Sequence, residues 1–314
     1  MYKNHKKQVN SNLIDINQGS RIIFLGSSDF SLSILDMIYK SFDLKSVVLK
    51  SSGSKSSQPV LPESNPVLLY AKKNHIKTIL FEDLNDSELS NCDYIVVASF
   101  GKIIPKSIVS RYKFLNVHAS LLPDLRGATP IQSAIYRGYK STGVSIILMN
   151  DKMDEGDLLL QDKINIDDKD NYKTLESKLS LLGSDLLEKT ISSFNNIVPR
   201  KQDSQEATYC YIDDFKREKG RIDWGIKSTD IRNKIKAFYP AWTYLNGVLC
   251  NIKEATLTDI KSNIPGHIFN DTKDLFVGCS DYYLKIDIIQ REGKQYVTGR
   301  EFKNGIQDGN VKFE

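Results

Sequence analysis

Short apolar runs alternate with amphipathic segments along the first part of the chain. The run Arg21–Leu25 ends in Gly26-Ser27, and the segment behind it repeats apolar residues at helical spacing. Four more apolar runs predict further strands: Ser46–Lys50, Thr78–Phe81, Tyr94–Ala98 and Phe114–Val117. Because strands alternate with helices, the pattern predicts an α/β fold with a doubly wound, mostly parallel sheet.

Two strands joined by an acidic turn follow this alternation. Val144–Met149 is apolar, and the next residues, NDKMDEGDLLLQ, combine four acidic side chains with a glycine before a second apolar run. A long helix at about Lys173–Asn196 closes the region. The pattern divides this part of the chain into a flexible N-terminal extension at 1–20, an α/β domain at 21–196 and a polar linker at 197–207.

The pattern changes after residue 207. The sequence GRIDW precedes a short amphipathic helix, and β segments separated by Gly, Pro and Asn turns follow it. This predicts a smaller, β-rich, barrel-like domain at 208–314. The aromatic residues of Ala237–Tyr244 are interpreted as core, with stacking on RNA bases as the alternative.

Composition excludes several classes of protein. Of the 314 residues, 40% are hydrophobic and 26% are charged, which is typical of a globular chain. No apolar run approaches the roughly 20 residues of a membrane helix, so no membrane partner is expected. The four cysteines lack a CxxC pair, which disfavours a zinc site and favours thiols in the reducing cytoplasm. A net charge of +4 permits an RNA partner without requiring one.

The candidate chemistry lies in FLNVHASLLPDLRGATPIQ, residues Phe114–Gln132. His118 follows a strand of the predicted parallel sheet, the place where such folds hold functional groups, although a histidine there is often structural. In an extended segment Asn116 and His118 project to the same side. An amide donor beside an imidazole suits a carbonyl under attack by an amine. Four acidic residues could orient the imidazole: Asp151, Asp154, Glu155 and Asp157.

These motifs resemble those of a known enzyme family. NVHASLLPDLRGATPIQ is similar to the signature of formyltransferases that use 10-formyltetrahydrofolate, where Asn-x-His precedes Ser-Leu-Leu-Pro and Arg-Gly. MDEGDLL resembles that family's Asp-x-Gly turn, matched by Asp154 and Gly156, while FLGSSDF and FGKIIP match two further positions. RIDW and IRNKIKAFYPAW resemble the C-terminal domain of the members that act on methionyl-tRNA. The resemblance covers essentially Arg21 to the C-terminus.

The resemblance implies a Rossmann-like catalytic domain and a role for each matched residue. Asn116 and His118 would hold the formyl oxygen, and Asp154 would position His118 and take part in proton transfer. The co-substrate 10-formyltetrahydrofolate, with no metal, would be bound by one set of residues: Phe100, Gly101, Ser120, Leu121, Leu122 and Pro123. A second set would contact tRNA: Arg126, Arg232, Lys234 and Lys236. For Arg126 the alternative is that it stitches its own loop by hydrogen bonds.

The resulting prediction is a monomeric cytoplasmic enzyme of translation initiation. It would transfer the formyl group of 10-formyltetrahydrofolate to the α-amino group of initiator methionyl-tRNA. Two alternatives stay open from the sequence. One is a formyltransferase for a small amine such as an amino sugar nucleotide, and the other is a non-catalytic RNA- or folate-binding module.

Overall fold

The structure, a computed structural model, describes residues 19–51, 64–262, 264–269, 273–306 and 311–314. The predicted N-terminal extension therefore lies outside the described residues except for Gly19 and Ser20, and so do residues 52–63. Within the described ranges, none of the helices combines the length and the apolar content that crossing a bilayer requires.

A seven-stranded sheet forms the centre of the first lobe. The strands up to β8 are β1 (Arg21–Gly26), β2 (Asp43–Leu49), β3 (Thr78–Leu80), β4 (Tyr94–Ala98), β5 (Phe114–His118), the separate two-residue β6 (Arg126–Gly127), β7 (Ser141–Leu148) and β8 (Asp157–Asn165). The sheet order is β3-β2-β1-β4-β5-β7-β8. The first five in this order run parallel, and β7 and β8 are antiparallel additions at one edge.

Helices cover both faces of this sheet. They are α1 (Phe30–Ser41), α2 (Pro66–Lys73), α3 (Asp86–Ser90), α4 (Lys106–Val109), α5 (Pro130–Tyr136) and α6 (Tyr172–Ser192). Helix α2 begins after Asn65, whose side chain accepts hydrogen bonds from the N–H groups of the first helical turn. Leu115 and Val117 of β5 pack into the core beneath α1 and α6, and Phe114 packs into the core on the opposite face. The alternation in β5 therefore sends Asn116 and His118 to the face opposite α6.

The second lobe contains an antiparallel sheet in the order β10-β11-β14-β13-β12, with β15 beside β14. The strands are β9 (Tyr209–Cys210), which pairs with β6, then β10 (Ala241–Leu245), β11 (Val248–Lys261), β12 (Ile268–Phe269), β13 (Leu275–Gly278), β14 (Tyr282–Arg291) and β15 (Val297–Thr298). The helices are α7 (Ser228–Phe238) and α8 (Gly299–Asn304). Short 3-10 turns lie at Phe81–Asp83, Phe194–Asn196, Ile212–Phe215 and Arg217–Gly220.

The last residues of the chain join the two edges of this second sheet. Phe313 forms a bridge to Leu245 of β10, and Lys312 forms one to His267 beside β12. Glu314 adds a backbone hydrogen bond to Tyr244 at 3.0 Å. The strands thereby close around an apolar interior, as in a small barrel. The predicted fold class, an α/β lobe followed by a barrel-like β lobe, is confirmed.

The aromatic run around β10 is only partly core. Phe238 packs against the cores of both lobes. Along β10 the residues Ala241, Thr243 and Leu245 are buried, whereas Trp242 and Tyr244 are half-buried on the outer face. The core interpretation is therefore wrong for Trp242 and Tyr244, because the two-residue period of a strand turns them away from the barrel interior.

Helix α7 joins the two lobes through its basic side chains. Arg232 donates to both carboxylate oxygens of Asp168 in the first lobe, at 3.0 and 3.1 Å, and is only 13% exposed. Lys236 donates to the Asp168 carbonyl at 2.8 Å, and Lys234 donates to the Arg221 carbonyl at 2.9 Å. Burial lowers the pKa of both lysines. These cations are thus engaged within the protein.

Replacement of Arg232 by methionine is expected to reduce the free energy of unfolding by about 0.5–1 kcal/mol at neutral pH, because Asp168 stays largely exposed. The hydrogen bonds and charge of Arg232 hold the pKa of Asp168 below its ordinary value. The contribution is therefore complete above the ordinary aspartate pKa of about 3.9 and is lost as the pH falls through the lowered one. Urea unfolding at neutral and strongly acidic pH measures this difference.

The exposed Arg300, which pairs with the half-buried Asp274, provides a control. Arg300→Met should cost less than Arg232→Met, since Arg300 is exposed and its pair with Asp274 lies within one lobe. An equal loss for the two variants, or a loss for Arg232→Met that persists in acid, would contradict the interpretation of the Arg232–Asp168 pair as a pH-dependent tie between lobes.

Candidate active site

Three polar side chains meet above β5. Asn116 and His118 rise from the face of the strand, and Asp154 comes from the turn 149–156 between β7 and β8. Asn116 Nδ2 donates to Asp154 Oδ1 at 3.1 Å, and His118 Nδ1 lies 3.7 Å from the same oxygen. The His118 side chain is 6% exposed and that of Asp154 is 13% exposed. One carboxylate oxygen therefore faces both the amide and the imidazole.

The turn that carries Asp154 has a constrained backbone. Asp154 adopts a left-handed conformation with φ of 54°, which is uncommon for residues other than glycine. Its Oδ2 accepts a hydrogen bond from the N–H of Gly127 at 2.8 Å. A Cβ atom at Gly156 would lie 2.1 Å from the Leu148 carbonyl oxygen, so the turn closes tightly enough to require glycine there. The carboxylate is thus aimed by backbone geometry as well as by hydrogen bonds.

The second ring nitrogen of His118 is also engaged. His118 Nε2 lies 2.9 Å from the carbonyl oxygen of Leu125. A carbonyl can only accept, so the proton of a neutral ring resides on Nε2. Nδ1 is then the nitrogen that is available to exchange a proton, and it is the one that faces Asp154.

The predicted folate residues are divided between core and surface. The Phe100 side chain is buried against Phe81, with ring centroids 5.4 Å apart, whereas Gly101 is exposed with φ of 69°. Ser120 is buried and donates to the Asp124 carbonyl at 2.5 Å. Leu122 packs in a small buried cluster. Leu121 and Pro123 are half-buried. Gly101, Leu121 and Pro123 are therefore the members of this set with open surface.

Arg126 is enclosed. Its side chain is 1% exposed, and Nε and Nη2 donate to Gln202 Oε1 at 3.0 and 2.8 Å. Nη1 lies 3.4 Å from Glu155 Oε1, but no described acceptor forms a hydrogen bond with it. These contacts support the interpretation that Arg126 holds its own loop in place by hydrogen bonds. They leave the Arg126 side chain no open surface for a direct contact with tRNA.

Gln202 is a site residue that the sequence did not indicate. It lies in the predicted linker 197–207, and its Nε2 donates to the carbonyls of Asp154 and Gly156, both at 2.7 Å. Beyond the linker, the Thr208 carbonyl accepts from the N–H of Arg126 at 2.9 Å, and β9 pairs with β6. The segment between the lobes thus forms one wall of the site. A lone glutamine in a polar stretch carries no pattern that would reveal this.

The α7 cations lie elsewhere. Arg232, Lys234 and Lys236 contact Asp168 and Arg221, as described above, and none of their recorded contacts involves Asn116, His118 or Asp154. Among the described residues, no group of three or more His, Cys, Asp or Glu side chains is arranged to hold a metal ion. The site is therefore built from an amide, an imidazole and a carboxylate, which are groups for hydrogen bonding and proton exchange.

Comparison with known proteins identifies the family. A formyl transferase family model matches residues 20–191, and a model of the formyl transferase C-terminal domain matches residues 214–307. The chain belongs to the formyl transferase family. Two relatives named methionyl-tRNA formyltransferase, from Hydrogenobaculum sp. and Bacillus velezensis, are 36% and 35% identical to it. The alignments cover 93% and 94% of this formyltransferase, and 99% and 98% of the relatives.

Solved structures share the fold. An N-formyltransferase from Helicobacter canadensis, solved with folinic acid and dTDP-3-aminofucose, matches with a TM-score of 0.63 at 21% identity. The match covers 87% of this formyltransferase and 99% of that chain. HypX from Aquifex aeolicus, in complex with tetrahydrofolic acid, gives a TM-score of 0.62 at 16% identity, over 93% of this chain and 50% of that one. At these identities the two structures support the fold alone.

Proposed function

We propose that this formyltransferase transfers the formyl group of 10-formyltetrahydrofolate to the α-amino group of methionyl-tRNA. The observation that carries the proposal is the single Asp154 oxygen that faces both Asn116 and His118. The relatives named methionyl-tRNA formyltransferase align with both lobes, which favours tRNA over a small amine. The assignment of site residues and the domain limits 21–196 and 208–314 belong to the same proposal.

Asn116 stabilises the formyl oxygen as it gains negative charge, and His118 adds a second donor when Nδ1 carries a proton. One amide hydrogen of Asn116 is directed to Asp154, which leaves the second for the substrate. Donors that are fixed before the reaction need no reorganisation while the charge develops. Asn116 is held by Asp154, and His118 is held by the Leu125 carbonyl, so both are fixed.

Asp154 and His118 also transfer the protons that the reaction requires. The amine nitrogen bonds to the formyl carbon and becomes positively charged, so it must lose a proton. The bond from that carbon to the folate nitrogen breaks, and the leaving nitrogen must gain one. Nδ1 of His118 and Oδ1 of Asp154 are 3.7 Å apart, and a proton can pass between substrate and either atom.

Three residues of the predicted folate set have open surface, and together they suit a flat ring with a polar edge. Leu121 and Pro123 offer apolar surface, and Gly101 offers exposed backbone. The buried Ser120 and Leu122 act on the shape of the loop instead: the Ser120 carbonyl accepts from Ser145 Oγ at 2.6 Å, and the N–H of Leu122 donates to the same hydroxyl at 3.0 Å. Folate would therefore contact the surface of a loop whose inner side is fixed.

One assay compares the candidate acceptors. The purified protein is supplied with 10-formyltetrahydrofolate and either methionyl-tRNA or a panel of amino sugar nucleotides, and formylated product is quantified. Formylation of methionyl-tRNA at a kcat/KM well above that of every sugar supports the proposal. Formylation of a sugar nucleotide alone would replace it with the small-amine function.

The proposed enzyme is cytoplasmic and monomeric. All four cysteines are free thiols, which agrees with the cytoplasm. Analytical sedimentation would test the monomer.

We propose that tRNA binds at the outer face of β10 and β11, together with Arg221 and Tyr239 beside these strands. This surface replaces the α7 cations, which are engaged within the protein. Arg221 lies over the rings of Trp242 and Tyr244, with Cζ 6.0 and 5.7 Å from their centroids. Lys253 Nζ lies 4.9 Å from the ring centroid of Tyr239. Cations interleaved with partly open aromatic rings suit phosphates and unstacked bases.

Reversal of the charges of Arg221 and Lys253 should weaken tRNA binding and its dependence on salt. Each lost phosphate contact lowers the log–log salt slope by about one unit, so Arg221→Glu with Lys253→Glu should flatten it by about one to two units. Lys72→Glu with Lys73→Glu changes the net charge equally at exposed positions of α2. Identical slopes for the two double variants would exclude the outer face, and folate affinity should stay unchanged in both.

A further inference from the structure

Gln202 holds two parts of the candidate active site at once. Its Oε1 accepts both hydrogen bonds that the Arg126 side chain donates among the described residues. Its Nε2 donates to the carbonyls on either side of Glu155, those of Asp154 and Gly156. A single amide thereby fastens the loop after β5 to the turn that carries the carboxylate.

The turn needs this support because its geometry is unfavourable by itself. A left-handed aspartate costs of order 1 kcal/mol relative to a relaxed backbone and persists only where its surroundings enforce it. Without the amide, the Asp154 and Gly156 carbonyls lose their donor and the turn can relax. A displacement of about 1 Å at a catalytic group can lower turnover about 100-fold.

The buried Arg126 side chain also depends on Gln202 for its hydrogen bonds. Its guanidinium is buried, and its remaining contact is Glu155 Oε1 at 3.4 Å. If Gln202 no longer accepts from Nε and Nη2, the buried cation must find other acceptors, and Glu155 is adjacent to Asp154 in the turn. Movement of Glu155 toward the guanidinium would rotate the Asp154 carboxylate away from Asn116 and His118.

We propose that Gln202 is a positioning residue that acts through Asp154. Its hydrogen bonds reach the backbone of the turn and the Arg126 side chain, and none of them goes to the Asp154 carboxylate. The inference rests on the proposed function, because it takes Asp154 as a catalytic residue. It also makes turnover depend on the segment that joins the two lobes.

Gln202→Met removes the donor and the acceptor while it keeps an unbranched side chain, and Gln205→Met is the matched control at an exposed position of the same segment. We expect kcat to fall about 10–100-fold in Gln202→Met, with both KM values within about threefold of wild type. Gln202→Glu keeps the acceptors for Arg126 but loses the donor to the turn, so its kcat should fall as well. Wild-type kcat in Gln202→Glu would overturn the role of the turn, and melting curves establish that each variant is folded.

A double-mutant cycle tests whether the effect passes through Asp154. In an Asp154→Asn background, Gln202→Met should lower the residual kcat by less than about threefold, because the group that it positions is already impaired. Full multiplication of the two losses would show a general structural role and overturn the inference. The cycle is run on whichever amine the wild type formylates. Wild type that formylates no methionyl-tRNA contradicts the proposed function, whereas active wild type with an equally active Gln202→Met contradicts only the positioning role.

Discussion

Replacement of His118 by alanine is expected to lower turnover by about 10²–10⁴-fold while the protein remains folded. The ring supplies the nitrogen that faces Asp154. The same range is expected for Asn116→Ala, which removes the second donor to the formyl oxygen, and for Asp154→Asn. Single-turnover formyl transfer measures the chemical step, and it separates this loss from effects on substrate binding.

The control for His118→Ala is His75→Ala, since His75 is exposed beyond the end of α2. That variant should retain wild-type turnover. His118→Ala leaves the Leu125 carbonyl without its ring donor, so a modest drop in melting temperature is expected and must be measured beside activity. Near-normal turnover in folded His118→Ala would refute the assigned mechanism, whichever acceptor is used.

The sequence contained enough information to predict how Asn116 and His118 are placed. A two-residue period inside a short strand sends both to one face, and this depends only on local backbone geometry. The selection of Asp154 among four acidic residues did not follow from local pattern and came from the resemblance to the family. In the structure it depends on the left-handed backbone at Asp154 and on the N–H of Gly127. Both are set by contacts between distant segments.

Contacts of long range also account for what the sequence did not predict. Arg126 and Gln202 are 76 residues apart, and Arg232 and Asp168 are 64 apart. A polar side chain in a linker and a basic side chain on an amphipathic helix both have the pattern of surface residues. Gln202 meets the buried Arg126, and Arg232 is largely buried beside Asp168, only because distant segments of the chain pack together. Patterns in a single sequence do not show such contacts, so they underestimate the structural role of these two side chains.

Substitution of Gly127 by alanine is expected to disrupt the site, although Gly127 is not one of its three polar side chains. Gly127 has φ of 119°, and a Cβ atom there would lie 2.0 Å from the Cys210 carbonyl oxygen. The pairing of β6 with β9 must therefore open, which withdraws the N–H that binds Asp154 Oδ2. We expect a loss of about 1–3 kcal/mol in unfolding free energy. Turnover should fall by about 100-fold, because the carboxylate loses its anchor.

Gly247→Ala distinguishes this close approach from simple backbone strain. Gly247 also has a positive φ, 73°, but a Cβ atom there would meet no described atom within 4 Å. Its replacement should cost about 1 kcal/mol in stability and leave turnover unchanged, since a Cβ atom at residue 247 would contact neither the three polar residues nor the Arg221 and Lys253 side chains. Calorimetry and formyl transfer on the two variants give the comparison. If Gly127→Ala lost stability but kept wild-type turnover, the hydrogen bond from residue 127 to Asp154 would be dispensable for catalysis, and the anchoring of the carboxylate would rest on Gln202 and Asn116.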